Sequence, residues 1–185
     1  MEGMTALVLQ LTMMFMAAGP ERALPRLSVG DPLPALSEQF LSGKAAELPQ
    51  AASGRVALLA LGFSYDSRIE VEAWTKRFRA QFGADPRVTF YEVPMIGGMA
   101  RLGRWFIDSG MRRGTPQADY EHVITVYGGV DAWKERVGYK DPKAAYLILL
   151  DQTGKAVWFS SGAVEDKAYT ALSAETNRLL SGSDR

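Results

Sequence analysis

The chain has 185 residues, 47% of them hydrophobic and 23% charged, the balance of one globular domain with a core of ordinary size. Lys+Arg and Asp+Glu each number 21, so no global field draws it to nucleic acid and any basic surface is local. It has no cysteine and one histidine, His122, which excludes disulfides, thiolate metal sites, iron–sulfur clusters, thiol redox catalysis and multi-histidine centres, and leaves the redox compartment open.

Residues 1–19 are an apolar N-terminal segment. The run Ala6–Ala18, interrupted by Gln10 and Thr12, is shorter than the roughly 20 residues of a comfortable membrane span. Its length is that of a signal-peptide core, and Ala17, Ala18 and Gly19 stand where cleavage would fall, yet Glu2 has the wrong sign for the flank of such a signal. An export signal or uncleaved anchor and a buried helix or tail both remain open. The signal reading favours a periplasmic or membrane-associated protein over a cytoplasmic one. A mitochondrial presequence fits less well, since the first Arg is Arg22.

Residues 20–35 form a Pro-rich extended lead-in, with Pro20, Pro25, Pro32 and Pro34 blocking any helix. The domain proper spans 36–182 and opens with a hairpin around Ser42-Gly43-Lys44, whose Gly-Lys lacks the rest of a phosphate-binding loop. "GRVALLALGF" (54–63) is a near-continuous apolar run, the pattern of a strand buried on both faces. After the turn Ser64-Tyr65-Asp66-Ser67-Arg68, Val71, Trp74, Phe78 and Phe82 recur at helical spacing, and Ser67 followed by Glu70 predicts a capping box.

A strand over 87–94 follows, then a helix over 97–114. The spacing there puts Met95, Met99, Leu102 and Phe106 on one face, with Trp105 beside it. Arg101, Arg104, Arg112 and Arg113 against Asp108 give a local charge of about +3. Such a stretch reads as a packed helix with a solvated basic side, or as a surface for anionic lipid or an acidic partner helix. Arg112 and Arg113 also suit a helix C-terminus. Next come a strand over 122–129, a short helix around "DAWKERVG", strands 144–151 and "AVWFSSG" joined by a tight turn, and a last helix from Glu165 to Leu180. The order predicts a three-layer α/β/α sandwich with a mixed sheet and an N-terminal β-hairpin.

The lead-in hairpin, "GRVALLALGF" running directly into a helix, and the closing "YLILLDQTGKAVWFSSG" resemble the thioredoxin-like redoxin superfamily. That pattern places a reactive cysteine or a CxxC pair in the turn now occupied by Ser64-Tyr65-Asp66-Ser67-Arg68. It also places a cis-proline at about Ala144 or Ala145. Neither is present, so the resemblance implies a redoxin scaffold without a redox site.

"VTFYEVPMIGGMARLGRWFIDSGMRR" and "HVITVYGGVDAWKERVGYKDPKAAYLILLDQTGKAVWFSSG" are similar to the mitochondrial ATP synthase assembly-factor family, over residues 55–162. The features that carry over are Tyr91-Glu92, Arg112-Arg113, Tyr127-Gly128-Gly129, and the Leu150-Asp151 to Gly154 turn with Trp158. The resemblance implies a non-catalytic assembly factor or chaperone that binds a membrane-embedded ATP synthase subunit without turnover.

Two alternatives stand beside it: a redoxin- or peroxiredoxin-like protein with a degenerate site, and a small-ligand module using the Tyr65–Arg68 turn, at the strand end where α/β folds bind ligands. A Ser–His–Asp hydrolase lacks its elbow, because "GFSYD" has no second glycine. The Asp residues show no calcium-loop spacing. No catalytic, metal or cofactor residue is assigned. The candidate interaction residues are Tyr65, Asp66, Ser67, Arg68, Arg101, Arg104, Trp105, Arg112 and Arg113, and the expected partner is a protein client, with a possible membrane-surface contact and no nucleic acid.

Overall fold

The computed structural model describes residues 25–182, of which 99–101 are described by backbone alone. The expectation for the segment 1–19 lies outside the described residues. Strands β1 (Leu36–Phe40) and β2 (Ala45–Leu48) form the N-terminal hairpin, and β3 (Val56–Gly62) leads into α1 (Arg68–Phe82). Then follow β4 (Val88–Pro94), α2 (Arg104–Gly114), β5 (Ile124–Thr125), α3 (Val130–Val137), β6 (Ala145–Leu150), β7 (Ala156–Ser161) and α4 (Asp166–Gly182).

The strands lie in the orders β2-β1-β5 and β4-β3-β6-β7. Parallel bridges Glu92↔Val123 and Met95↔Val126 join the two groups side by side. β3 runs parallel to β4, with Gly62 opposite Pro94, and antiparallel to β6, with Gly62 opposite Ala145. The ends of β3 and β4 and the start of β6 therefore share one edge of the sheet.

β3 is buried along its whole length, as its unbroken apolar run requires, and it divides its side chains by the two-residue period of a strand. Ala57, Leu59 and Leu61 join Trp133 and Val137 of α3 and Leu36 and Leu48 of the hairpin on one face. Val56, Leu58 and Ala60 join Trp74, Phe78 and Phe82 of α1 and Leu172 of α4 on the other. The sandwich thus has the three layers and the mixed sheet that the sequence order predicts. The lead-in is fastened to it: Leu27 N–H donates to Arg136 O at 2.9 Å and Leu33 N–H to Gly154 O at 3.0 Å.

Two elements differ from expectation. The helix expected over 97–114 is a 3-10 turn over Gly98–Gly103 followed by α2, and Met95 is not on it. Met95 is buried at the end of β4 and bridged to Val126, and Gly98 at φ +69 stops any helix from continuing across 97–98. The strand expected over 122–129 narrows to Ile124–Thr125 with a single bridge on either side of it, because Gly128 and Gly129 release the chain and Gly129, at φ +67, opens α3.

Candidate functional site

The turn after β3 is held by its own two serines, which have the two-residue spacing of the dithiol that a redoxin would carry there. Ser64 N–H donates to Ser67 Oγ and Ser67 N–H to Ser64 Oγ, each at 3.2 Å, while Ser67 Oγ–H donates to Ser64 O at 2.8 Å. Ser64 Oγ–H in turn reaches Pro142 O at 2.5 Å, tying the turn to the loop before β6. Ser67 is fully buried, and a Cβ on Gly62 would stand 2.7 Å from its Oγ, so close packing needs the glycine.

This overturns the expected capping box. Ser67 has helical φ/ψ and makes no side-chain cap bond, because its hydroxyl is committed to Ser64. Glu70 turns instead to β6, where its Oε2 accepts the N–H of Ala145 at 2.9 Å. Ala145, fully buried, is one of the two positions, Ala144 and Ala145, where the resemblance to redoxins leads one to expect a cis-proline, and among the described residues the cis peptide bond is at Leu48–Pro49. A proline there brings no N–H, whereas alanine brings a buried donor that needs an acceptor. Glu70 supplies it, so the turn and the strand start are remodelled together.

Two surfaces rise from this edge. On the turn and α1, Tyr65 is 81% and Ile69 70% exposed. The Arg68 guanidinium lies 5.3 Å over the Tyr65 ring and pairs with Glu72 at 3.5 Å, and Asp66 is exposed. On and before α2, Leu102 is 87%, Trp105 70% and Phe106 73% exposed, the two rings meeting edge to face at 4.8 Å. No residue of α2 is buried.

The helix faces the sheet with a mixed side, Arg104, Asp108 and Arg112 alternating with the half-buried Ile107 and Met111, whose sulfur lies 3.9 Å from the Thr125 hydroxyl. Arg104 lies 4.8 Å over the Tyr127 ring, 3.7 Å from Glu38 and 3.6 Å from Asp108. Tyr127 O–H donates to Asp108 at 2.6 Å, and burial followed by that bond raises the phenol's pKa far above its usual value. Arg112 Nε donates to Leu41 O at 2.8 Å, and Arg113, exposed, reaches Ser109 Oγ at 3.2 Å. Of the basic residues expected to be solvated, Arg104 and Arg112 are thus turned inward and paired, and of the apolar residues expected to pack, Leu102 and Phe106 point outward. Arg104 and Arg112 are docking groups within the fold. The side chain of Arg101 lies outside the description.

The other carried-over positions are built into the fold. Tyr91 O–H donates to Ala51 O at 2.9 Å. The half-buried Trp158 packs edge-on against Trp74 at 6.1 Å. Burial tends to raise the Asp151 carboxyl, but bonds from Thr153 and Lys155 outweigh it and hold the group below its usual value, closing the β6–β7 turn. His122 Nδ1–H donates to Phe90 O at 2.9 Å and its ring stacks on Phe90 at 4.3 Å, so it serves no serine. Among the described residues, no cluster of three or more His, Asp or Glu is placed to hold a metal, and no helix is long and apolar enough to cross a membrane.

Glu92 titrates above its ordinary value. Burial pushes its carboxyl up, the Thr75 hydroxyl donating at 2.6 Å pulls it partly back, Glu72 and Asp119 push it up further, and His122 opposes them. The unfolded chain gives up this proton first, so Glu92 subtracts stability as the pH rises above about 4.5. Glu92→Gln, which still accepts from Thr75, is expected to be more stable than the parent at pH 7. The gain should shrink as the pH is lowered toward 4.5 and be absent below it, read as urea midpoints at each pH.

No family model matches the chain, and no curated protein matches its sequence. Solved structures do match. A thiol:disulfide interchange protein from Bacteroides sp. is 20% identical, with a TM-score of 0.55 over 82% of this chain and 91% of that one. The thioredoxin domain of a thiol-disulfide oxidoreductase from Bacteroides vulgatus is 19% identical, with a TM-score of 0.54 over 81% and 99%. An uncharacterized conserved protein from Geobacillus kaustophilus is 14% identical, with a TM-score of 0.61 over 84% of each chain. The fold is thioredoxin-like, and this chain carries it without a cysteine.

What the sequence hid is the outward side of α2, together with Ile69 and Glu70. The run Leu102-Gly-Arg-Trp-Phe has the composition of a buried segment, and only the positions of Glu38 and Tyr127, and of Gln39, whose Oε1 accepts from Arg104 at 3.3 Å, reveal that the arginine, not the aromatics, faces inward.

Proposed function

We propose that the protein is a non-redox, thioredoxin-like assembly factor or chaperone, similar to the ATP synthase assembly-factor family, which holds a membrane-protein client without turnover. The observation that carries this is the rebuilt turn. A chain without cysteine has no thiol for disulfide or peroxide chemistry. Where the dithiol would sit, Ser64 and Ser67 bond one another and Glu70 bonds Ala145, leaving Tyr65 and Ile69 outermost. Because the Ser67 hydroxyl is committed to Ser64 O and the Ser64 hydroxyl to Pro142 O, a contact surface for a protein is better supported than a pocket for a small ligand. Exposed aromatic and aliphatic side chains on a rigid turn are the usual anchors of protein recognition.

The test is affinity capture from native membranes with the tagged full-length protein and mild crosslinking, beside a bait carrying Tyr65→Ser and Ile69→Ser. Both positions are exposed, so the variant should fold. Recovery of ATP synthase membrane-sector subunits, reduced about tenfold with the variant, is the expected result. Equal recovery with both baits, or no membrane protein with either, would overturn the proposal.

A further inference from the structure

We propose that α2 is a hinged lid over β1 and β5, latched by Arg104, which opens as a unit while the rest of the sandwich stays folded. Nothing in this depends on the turn after β3, so its failure would leave the client proposal standing. The first support is what holds the helix down. A surface helix of a folded domain is ordinarily fixed by an apolar stripe buried on the core. Here α1 buries Trp74 and Phe78, α3 buries Trp133 and Val137, and α4 buries Leu172 and Leu180, but no residue of α2 is buried. Ile107 and Met111 are only half-buried. The other attachments are polar. Arg104 lies 3.7 Å from Glu38 and 3.3 Å from Gln39 Oε1 on β1, Tyr127 O–H donates to Asp108, Arg112 Nε donates to Leu41 O, and Tyr120 O–H donates to Arg112 O.

The second support is that α2 is a weak helix by itself. Its 11 residues are fewer than the roughly 12–15 at which even a good helical sequence is marginal alone. Gly110 stands in its interior, where glycine is unfavourable against alanine. Gly103 at its N-cap makes no side-chain cap bond, and Arg104 puts positive charge into the first turn, where the helix dipole opposes it. Gly97-Gly98 before the helix and Gly114 at its end supply the hinges. Released from the sheet, this segment has little to keep it wound.

The third support is the layout of the latch. Glu38 stays with the sheet, because its Oε1 also accepts the N–H of Tyr127 at 3.2 Å. The Tyr127 ring lies 4.8 Å from the Arg104 guanidinium, so post and platform belong to the body and the arginine to the lid. The Arg104 side chain is 38% exposed, which leaves its ion pairs open to screening by salt. Opening would bare Gln39 of β1, Thr125 of β5 and the Tyr127 phenol, which Arg104, Met111 and Asp108 now touch.

Hydrogen exchange of the full-length protein, read by mass spectrometry at rising urea below the unfolding midpoint, tests this. After correction for intrinsic rates, amides of α2 are expected to exchange at least about a hundredfold faster than those of β3 and β6. Their rates should barely respond to urea, because a local opening exposes little surface, while those of β3 and β6 rise steeply. Arg104→Met keeps the aliphatic stem and the helix propensity and loses the charge, and should speed α2 exchange about tenfold. Gly110→Ala should slow it about threefold or more, since a Cβ there would meet Arg113 Nη2 at 3.9 Å, an ordinary contact. Raising NaCl from about 20 mM to about 0.5 M should speed α2 exchange in the parent and have less effect in Arg104→Met. Exchange of α2 that matches β3 and β6 in rate and urea response would overturn the inference, because the helix would then open only with the whole domain. So would Arg104→Met exchanging at the parent's rate, since other groups would then hold the helix.

Discussion

Glu70→Ala is expected to destabilise the domain by about 1.5–3 kcal/mol, the range for losing a charged acceptor from a buried donor. Its Oε2 takes the N–H of Ala145, the fully buried first residue of β6, at 2.9 Å. Truncation leaves that N–H without its acceptor at the junction of α1, β3 and β6. Glu70→Gln keeps an acceptor oxygen and should lose about 1 kcal/mol or less. The informative partner is Ala145→Pro, which deletes the donor at a strand start, where proline is tolerated. In that background Glu70→Ala should cost much less than alone, a positive coupling in a double-mutant cycle read by urea unfolding. Equal cost in both backgrounds would show that Glu70 acts elsewhere.

Trp74→Ala is expected to cost about 3–5 kcal/mol, enough to lower Tm by roughly 10–15 °C in a domain of this size. Trp74 is fully buried, packs against Trp158 and Tyr169, and donates its Nε1–H to Gly162 O at 2.8 Å. It thus ties α1 both to the far strand β7 and to α4. Trp74→Phe should lose less, because it keeps most of the apolar volume and gives up the hydrogen bond. Calorimetry on the three proteins checks the order. A Trp74→Ala variant within about 1 kcal/mol of the parent would mean that this face of the sandwich is not packed as described.

The elements visible in the sequence are those decided by local pattern. The apolar run of β3 and the spacing of Trp74, Phe78 and Phe82 announce a central strand and a helix on it, because burial on those faces tolerates nothing else. The misread elements are those decided by distant residues. Ser67 and Glu70 satisfy the spacing of a capping box, yet Glu70 is drawn to Ala145, which is 75 positions away in the chain. Met95 and Phe106 share a helical register only while Gly98 is ignored. Arg104 faces inward because Glu38 from the hairpin and Tyr127 from beyond β5 meet it there, and neither is near it in the sequence. The orientation of Arg104 and of the Trp105–Phe106 pair is therefore set by the hairpin and the segment after β5 and not by the composition of α2 itself.

We propose that the turn which a redoxin uses for chemistry serves here as a contact surface for a membrane-protein client. It is tested most directly by placing a photo-crosslinking phenylalanine analogue at Tyr65 of the full-length protein in cells, with a control at Lys155, an exposed residue on the β6–β7 turn. The β6–β7 turn lies at the opposite end of β6 from Ala145, and so away from the tip. The account predicts adducts at position 65 with membrane-sector subunits of ATP synthase and none at position 155. Adducts of equal yield at both positions, or none at 65 with the protein folded, would contradict it.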